Sequence, residues 1–191
     1  MPRYTGTKRA ILDATLELAA TKGITGTTMD EVAERAGVAK GSLYYNFSSK
    51  DRLFEELLQE GVGALADTLL EARAGLHGRA ALEALIGALL DGIASNTALA
   101  KLMASEIFRT DRTWQRTLFA LRHEALAVFA EAIAEARPGS RDNGTCGLMA
   151  SSVFGAVLMS GLEWLVFDPE RHRDEVSAAI LDSFSGGLLG D

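Results

Sequence analysis

Proline is nearly absent from this chain. Of 191 residues only Pro2, Pro138 and Pro169 are proline, so none interrupts positions 3–137. Proline removes an amide donor and clashes with the preceding helical turn, so its scarcity leaves long helices permitted almost everywhere. Ala, Leu and Glu, all strong helix formers, are abundant, and the sequence therefore predicts an all-α fold. A hydrophobic content of 48% supplies a buried core and excludes a disordered chain.

With proline out of play, helix ends must come from glycine and from capping residues. They predict about nine helices. The first runs from about Thr7 to Lys22, with Ile11, Ala14 and Leu18 on one stripe, and Gly23 stops it. Thr28-Met29-Asp30-Glu31 has the form of a capping box, in which the threonine oxygen and the glutamate each satisfy a backbone donor. It opens a short helix to Ala36, broken by Gly37, and a second short helix follows over about 39–46. Ser48-Ser49-Lys50-Asp51 opens a longer helix to about Arg73. Further helices are expected from Arg79 to Ala94, from an Asn96 cap to Phe108, from Thr110-Asp111 to Arg137, and from Thr145 to Phe167. Pro138 to Gly144 reads as a loop. Asp168-Pro169 pairs an N-cap with proline at the first position of a last helix, which Gly186-Gly187 ends.

The segment from Thr28 to Phe47 carries the function. A helix-turn-helix needs a small residue inside its first helix, where the second crosses closely, and Ala33 supplies it. Four positions later the turn needs a residue that tolerates a left-handed backbone, and Gly37 is there. Val38, Leu43 and Phe47 can anchor the second helix inward, the last two one turn apart. The face left outside carries Lys40, Gly41, Ser42, Tyr44, Tyr45 and Asn46. These types suit duplex DNA: lysine donates to guanine O6/N7 or to phosphate, hydroxyls bond phosphates or base edges, and Gly41 removes bulk where a backbone approaches the groove. Lys50, beside the free amides of the next helix start, can hold a phosphate.

The overall charge of −7 opposes nucleic-acid binding until it is divided. Residues 1–54 hold eight basic and six acidic side chains, a small positive excess, which leaves the remainder at −9. The single cysteine, Cys146, cannot form an internal disulfide and reads as a buried apolar residue in a reducing compartment. His77, His123 and His172 lack the spacing of zinc ligands, so neither metal nor cofactor is expected. No basic start followed by an apolar run marks a secretory leader, and a cytoplasmic protein is expected.

The set Ile11-Leu12-Asp13-Ala14, Gly23, Thr27-Thr28-Met29, Val32-Ala33, Ala36-Gly37-Val38, Lys40-Gly41-Ser42-Leu43-Tyr44-Tyr45, Phe47, Lys50 and Leu53-Phe54 resembles the amino-terminal domain of the TetR family of transcriptional regulators. The resemblance implies a three-helix DNA-binding head in residues 1–52. It implies a ligand-binding and dimerisation body in 53–191, reached through a fourth helix, and a homodimer on a pseudo-palindromic operator. By position, Lys40, Gly41, Ser42 and Tyr44 would face the major groove, and Thr28, Tyr45, Asn46 and Lys50 would touch the phosphate backbone. Two residues depart from the pattern. Ala19 stands where the family commonly has phenylalanine, and Asn46 where it has histidine or an aromatic residue.

Asn143 to Leu162 contains no charged residue and is long enough to cross a bilayer. Its serines and glycines fit a packed protein helix better, and no membrane partner is expected. In the family resembled the last two helices form a four-helix dimer interface. That makes Phe154, Val157, Leu158, Gly161, Trp164, Ile180, Leu181 and Phe184 interface candidates, though each also suits the interior of one chain. A pocket for a small apolar effector is expected among Leu69, Leu89, Ile93, Met103, Ile107, Phe108, Trp114, Leu118 and Phe119, residues that equally suit plain core packing. The leading reading is a ligand-released repressor. A helical small-molecule-binding protein with a vestigial DNA head is the alternative. An enzyme is disfavoured because no nucleophile–base context, phosphate-cradling glycine loop or paired metal ligands occurs.

Overall fold

A computed structural model describes residues 6–106, 115–136 and 143–185. Among them are nine α-helices and no strand: α1 (Thr7–Gly26), α2 (Met29–Arg35), α3 (Lys40–Asn46), α4 (Lys50–Arg73), α5 (Gly78–Ser95), α6 (Thr97–Glu106), α7 (Gln115–Ala136), α8 (Asn143–Phe167) and α9 (Arg173–Ser185). Gly23 breaks the helical path of α1 at φ 70°, as its position predicts, and a short further turn reaches Gly26. The expected Thr28 capping box is present in full. Ser49 Oγ accepts from the Arg52 amide at 3.2 Å and so caps α4.

One expectation is corrected. Asp168-Pro169 does not start the last helix. The Asp168 carbonyl accepts from the Arg171 amide at 3.1 Å, and its carboxylate takes Arg171 Nε at 2.7 Å. Trp164 Nε1 donates to the Arg171 carbonyl at 2.9 Å. These contacts hold residues 168–171 in a turn, and α9 begins at Arg173 with His172 before it. The expected helix ends at Phe108 and Arg137 and the start at Thr110-Asp111 lie outside the described residues.

The described chain divides into two compact units. One comprises residues 6–63 with 98–106 and 115–121, the other 64–97 with 122–136 and 143–185. In the first, Ile11, Leu12, Ala19, Ile24, Val32, Ala33, Leu43 and Phe47 from α1–α3 share one apolar cluster with Leu53, Phe54, Leu57, Leu58 and Val62 of α4 and Leu102 of α6. This packing runs past the functional division drawn at residue 52, because α4 keeps its apolar stripe turned into the same cluster as far as Val62. α6 comes close enough to α4 that a side chain at Gly61 would meet Leu99 Cδ2 at 2.5 Å. Two lysine and arginine pairs, Lys8 with Glu56 and Arg9 with Glu60, join α1 to α4 on the outside.

The second unit is built on α5 and α8. α5 buries Ala81, Leu82, Leu85, Ile86, Leu89, Leu90 and Ile93. α8 buries Cys146, Ala150, Val153 and Val157 at helical spacing, and Gly161 continues that stripe where Leu90 and Ile93 press close. Phe129 of α7 meets Phe154 of α8 edge-on at 6.2 Å between ring centres. Polar contacts close the ends. Arg173 grips Asp91 through two hydrogen bonds of 3.0 and 2.9 Å across the bare backbone of Gly87, and Glu135 accepts from the Gly78 amide at 3.1 Å at the start of α5.

Candidate nucleic-acid interface

α3 has only seven residues, too few to hold a helix in isolation, so its conformation must come from its anchors. Leu43 and Phe47 are completely buried in the head cluster, and Val38 packs against it. The turn that delivers α3 needs Gly37, whose φ of 66° is costly for any residue with a Cβ. Its amide donates to the Glu34 carbonyl at 3.1 Å, and the Val38 amide donates to the Ala33 carbonyl at 3.0 Å. Ala33 is buried at the crossing, where a larger side chain would push the two helices apart.

Pinning one side of α3 fixes what the other side shows. Lys40, Gly41, Tyr44 and Tyr45 are exposed, the two rings by 50% and 91%. Two aromatic rings therefore turn outward from a short, well-anchored helix. Ser42, Asn46 and Lys50 are half-buried at its margin. Asn46 Nδ2 donates to the Ser42 carbonyl at 2.8 Å, and Lys50 Nζ donates to the Thr25 carbonyl at 3.2 Å. Thr28 is exposed, but its hydroxyl already accepts from the Glu31 amide at 3.2 Å as the cap of α2. Six of the eight expected residues thus lie on α3, whereas Thr28 and Lys50 stand at the starts of α2 and α4 and are engaged in structural hydrogen bonds.

Sequence reading missed the acids of this face. Lys40 Nζ sits 2.6 Å from Asp30 Oδ2, and that hydrogen bond raises the lysine pKa. Lys22 pairs with Glu31, whose carboxyl is held down to about 2, first by Lys22 and then by Thr28. Partners nine or ten positions apart on different helices leave no mark in the periodicity of either.

The body candidates separate into three groups. Val157, Gly161 and Ile180 are buried within their own chain, which corrects their assignment to a dimer interface. Phe154, Leu158, Trp164, Leu181 and Phe184 are partly open. The large apolar side chains most open to solvent on α8 are others: Leu148, Met159, Val166 and Phe167. With Ser152 and Gly155 between them, the first three fall on one stripe. The expected α8 residues are thus mixed, Val157 and Gly161 facing inward and Phe154, Leu158 and Trp164 partly open. α8 is long and apolar enough to span a bilayer, yet only 28% of its most apolar window is buried in the chain. Among the pocket candidates, Leu69, Leu89 and Ile93 are buried in the second unit, whereas Met103 packs against the head cluster and Phe119 is half exposed. Ile107, Phe108 and Trp114, and the side chain of Leu118, lie outside the described residues.

Residues 11–57 match the family described as bacterial regulatory proteins, tetR family. The chain is 37% identical over 97 residues to the HTH-type transcriptional repressor KstR2 of Rhodococcus jostii, covering 50% of this chain and 48% of that protein. It thus spans about half the length of that relative. A Clostridium perfringens chain named as a fatty acid metabolism regulator superposes with a TM-score of 0.80 at 28% identity, covering 95% of this chain and 100% of its own. AibR, solved with isovaleryl coenzyme A and operator DNA, superposes with a TM-score of 0.78 at 17% identity, covering 93% of this chain and 97% of its own.

Gly41 separates the helix from its contact face. A Cβ there would meet nothing within 4 Å, and its φ is not in the left-handed region. Gly41→Ala should therefore stabilise the fold by up to about 1 kcal/mol in denaturant unfolding, from helix propensity alone. Set against a closely approaching DNA backbone, the same methyl should weaken duplex binding roughly tenfold. A variant that is more stable and binds DNA undiminished would show that this face does not meet the duplex.

Proposed function

The chain belongs to the tetR family of bacterial regulatory proteins, and from that premise we propose that it is a ligand-responsive repressor acting as a homodimer on a pseudo-palindromic operator. The observation that carries the reading is the outer side of α3: Lys40, Gly41, Tyr44 and Tyr45 exposed above a buried Leu43 and Phe47. Residues 1–52 bind DNA, and residues 53–191 dimerise and sense the effector. Lys40, Gly41, Ser42 and Tyr44 enter the major groove; Thr28, Tyr45, Asn46 and Lys50 hold phosphates. The protein is not an enzyme, and it works in the cytoplasm, where its operator is.

Two subunits must present their α3 helices one helical turn of DNA apart, or a multiple of it. The open stripe of α8, Leu148, Met159 and Val166 with Ser152 and Gly155, supports a helical dimer face continued by the partly open Leu158, Leu181 and Phe184. Pairing of two such stripes covers the apolar surface that the chain itself leaves to solvent.

The effector is an acyl chain carried as a thioester. The buried polar side chains among the described residues are Thr15, Thr27 and Glu106, and all three belong to the first unit. The interior of the second unit, with Leu69, Leu89 and Ile93, is apolar, so an alkyl chain lodged there would strand no buried polar side chain. The likeness to a fatty acid metabolism regulator and to a protein that binds isovaleryl coenzyme A supports the same class. Release requires that the ligand favour the conformation that binds DNA poorly, since equal affinity for both shifts nothing. α4 runs unbroken from the head cluster into the second unit and carries the change.

Three outcomes are expected. On a duplex enriched by the wild-type protein from a random-sequence pool, Lys40→Ala with Tyr44→Phe should lose roughly ten- to a hundredfold in affinity while circular dichroism stays unchanged. Retained affinity in the folded double variant would overturn the assignment of the face. Met159→Asp should weaken self-association by at least about tenfold in sedimentation equilibrium, because a charge is forced into an apolar contact. A dimer of undiminished strength would move the interface elsewhere. Titration with isovaleryl- and palmitoyl-coenzyme A should release the duplex with one of them and not with free coenzyme A. A complex indifferent to both would remove acyl thioesters as effectors.

A further inference from the structure

The head carries more positive charge in sequence than it offers to a ligand. Six basic side chains of the head are in ion pairs with carboxylates: Lys8 with Glu56, Arg9 with Asp13 and Glu60, Lys22 with Glu31, Arg35 with Glu17, Lys40 with Asp30, and Arg52 with Glu55 and Glu56. Lys8, Arg9, Lys22 and Arg35 pair with acids on other helices, and Arg52 pairs along α4. The sixth is different, because Lys40 is the one basic residue that projects from the exposed side of α3. Its partner, Asp30, stands in the first turn of α2, held there by the Thr28–Glu31 capping box. Both side chains are well exposed, 65% for the lysine and 62% for the aspartate, and their polar atoms are 2.6 Å apart.

An exposed pair of this kind adds little to folding beyond what the first turn of α2 already gains from an acidic side chain. Its consequence for DNA is larger. Binding to arbitrary duplex is almost wholly an attraction between unpaired cations and phosphates. A lysine that brings its own carboxylate adds nearly no net charge to that attraction, and moving it to a phosphate exchanges one anionic partner for another while leaving Asp30 beside the phosphates. The acceptor edge of a guanine, O6 with N7, offers Lys40 a directional partner that a random sequence does not place in register.

We propose that Asp30 is a specificity-determining residue that holds Lys40 out of contact with phosphate, so that the head grips arbitrary duplex weakly and releases the lysine only to a matching base edge. The inference rests on the DNA-binding reading given above and adds a residue to it, one on α2 that acts through Lys40 without itself touching a base.

The test compares two probes, the duplex that the wild-type protein enriches from a random-sequence pool and a scrambled duplex of the same composition. Asp30→Asn should tighten binding to the scrambled duplex roughly three- to fivefold at low salt and change the enriched duplex less than about twofold, so that discrimination falls. The log–log salt dependence on the scrambled duplex should steepen by about one, the signature of one added phosphate contact. Glu34→Gln removes the same charge from the same helix without touching Lys40's partner and should leave discrimination as it is. In a Lys40→Met background, Asp30→Asn should tighten both duplexes by the same small factor and leave discrimination unchanged. Equal losses of discrimination in Asp30→Asn and Glu34→Gln, or a loss of discrimination on Asp30→Asn that survives in the Lys40→Met background, would show bulk charge at work and overturn the inference alone. A folded wild-type protein that enriches no sequence would overturn the DNA-binding reading beneath it.

Discussion

Burial of Leu43 and Phe47 is the contact on which the rest of the molecule's working surface depends. A seven-residue helix has no stability of its own, and nothing in α3 caps it through a side chain. Its helical state and its orientation both come from two side chains, one turn apart, fully enclosed by α1, α2 and the first half of α4. Once those two are seated, the angular position of every other residue on α3 follows. Lys40, Gly41, Tyr44 and Tyr45 point outward because Leu43 and Phe47 point inward. Gly37 and Ala33 matter for the same reason, since the first permits the turn and the second permits the close crossing that seats the anchors.

The same cluster ties the head to what lies beyond it. α4 contributes Leu53, Phe54, Leu57, Leu58 and Val62, and α6 contributes Leu102, with Gly61 bare where Leu99 approaches. A close-packed interior transmits displacement instead of absorbing it. Any shift of α4 or α6 is therefore felt by the residues that seat α3. The ion pairs between α1 and α4 reinforce the joint from outside, each worth little alone, and they confine the head's charge as they do so. A slightly basic head thus has six of its cations paired with carboxylates.

In the second unit the division of labour on α8 is the informative feature. One stripe, Cys146, Ala150, Val153, Val157 and Gly161, is spent on α5 and the rest of the unit's interior. The other, with Leu148, Met159 and Val166, remains open. A helix apolar on both sides can take two partners, and among the described residues only one of its sides is covered. The exposed stripe carries small residues between its large ones, a pattern that lets a second helix approach closely.

Much of this could be read from residues alone, because its causes are local. Proline scarcity, the Thr28 capping box, the breaks at Gly23 and Gly37, and the spacing of Leu43 and Phe47 act within a few positions of themselves, so the nine helices and the anchored face of α3 follow from order along the chain. Asp168-Pro169 marks the limit of that reasoning. Its cap signal is real, yet Trp164 and Arg171 hold the segment as a turn, and neither preference is visible until the chain folds back. Which stripe of α8 turns inward, which pocket candidates share an interior, and which acid meets Lys40 were decided by tertiary packing alone. Periodicity states that a helix has faces, but burial against distant elements assigns them, and an ion pair between two helices depends on a crossing that no spacing within either helix encodes.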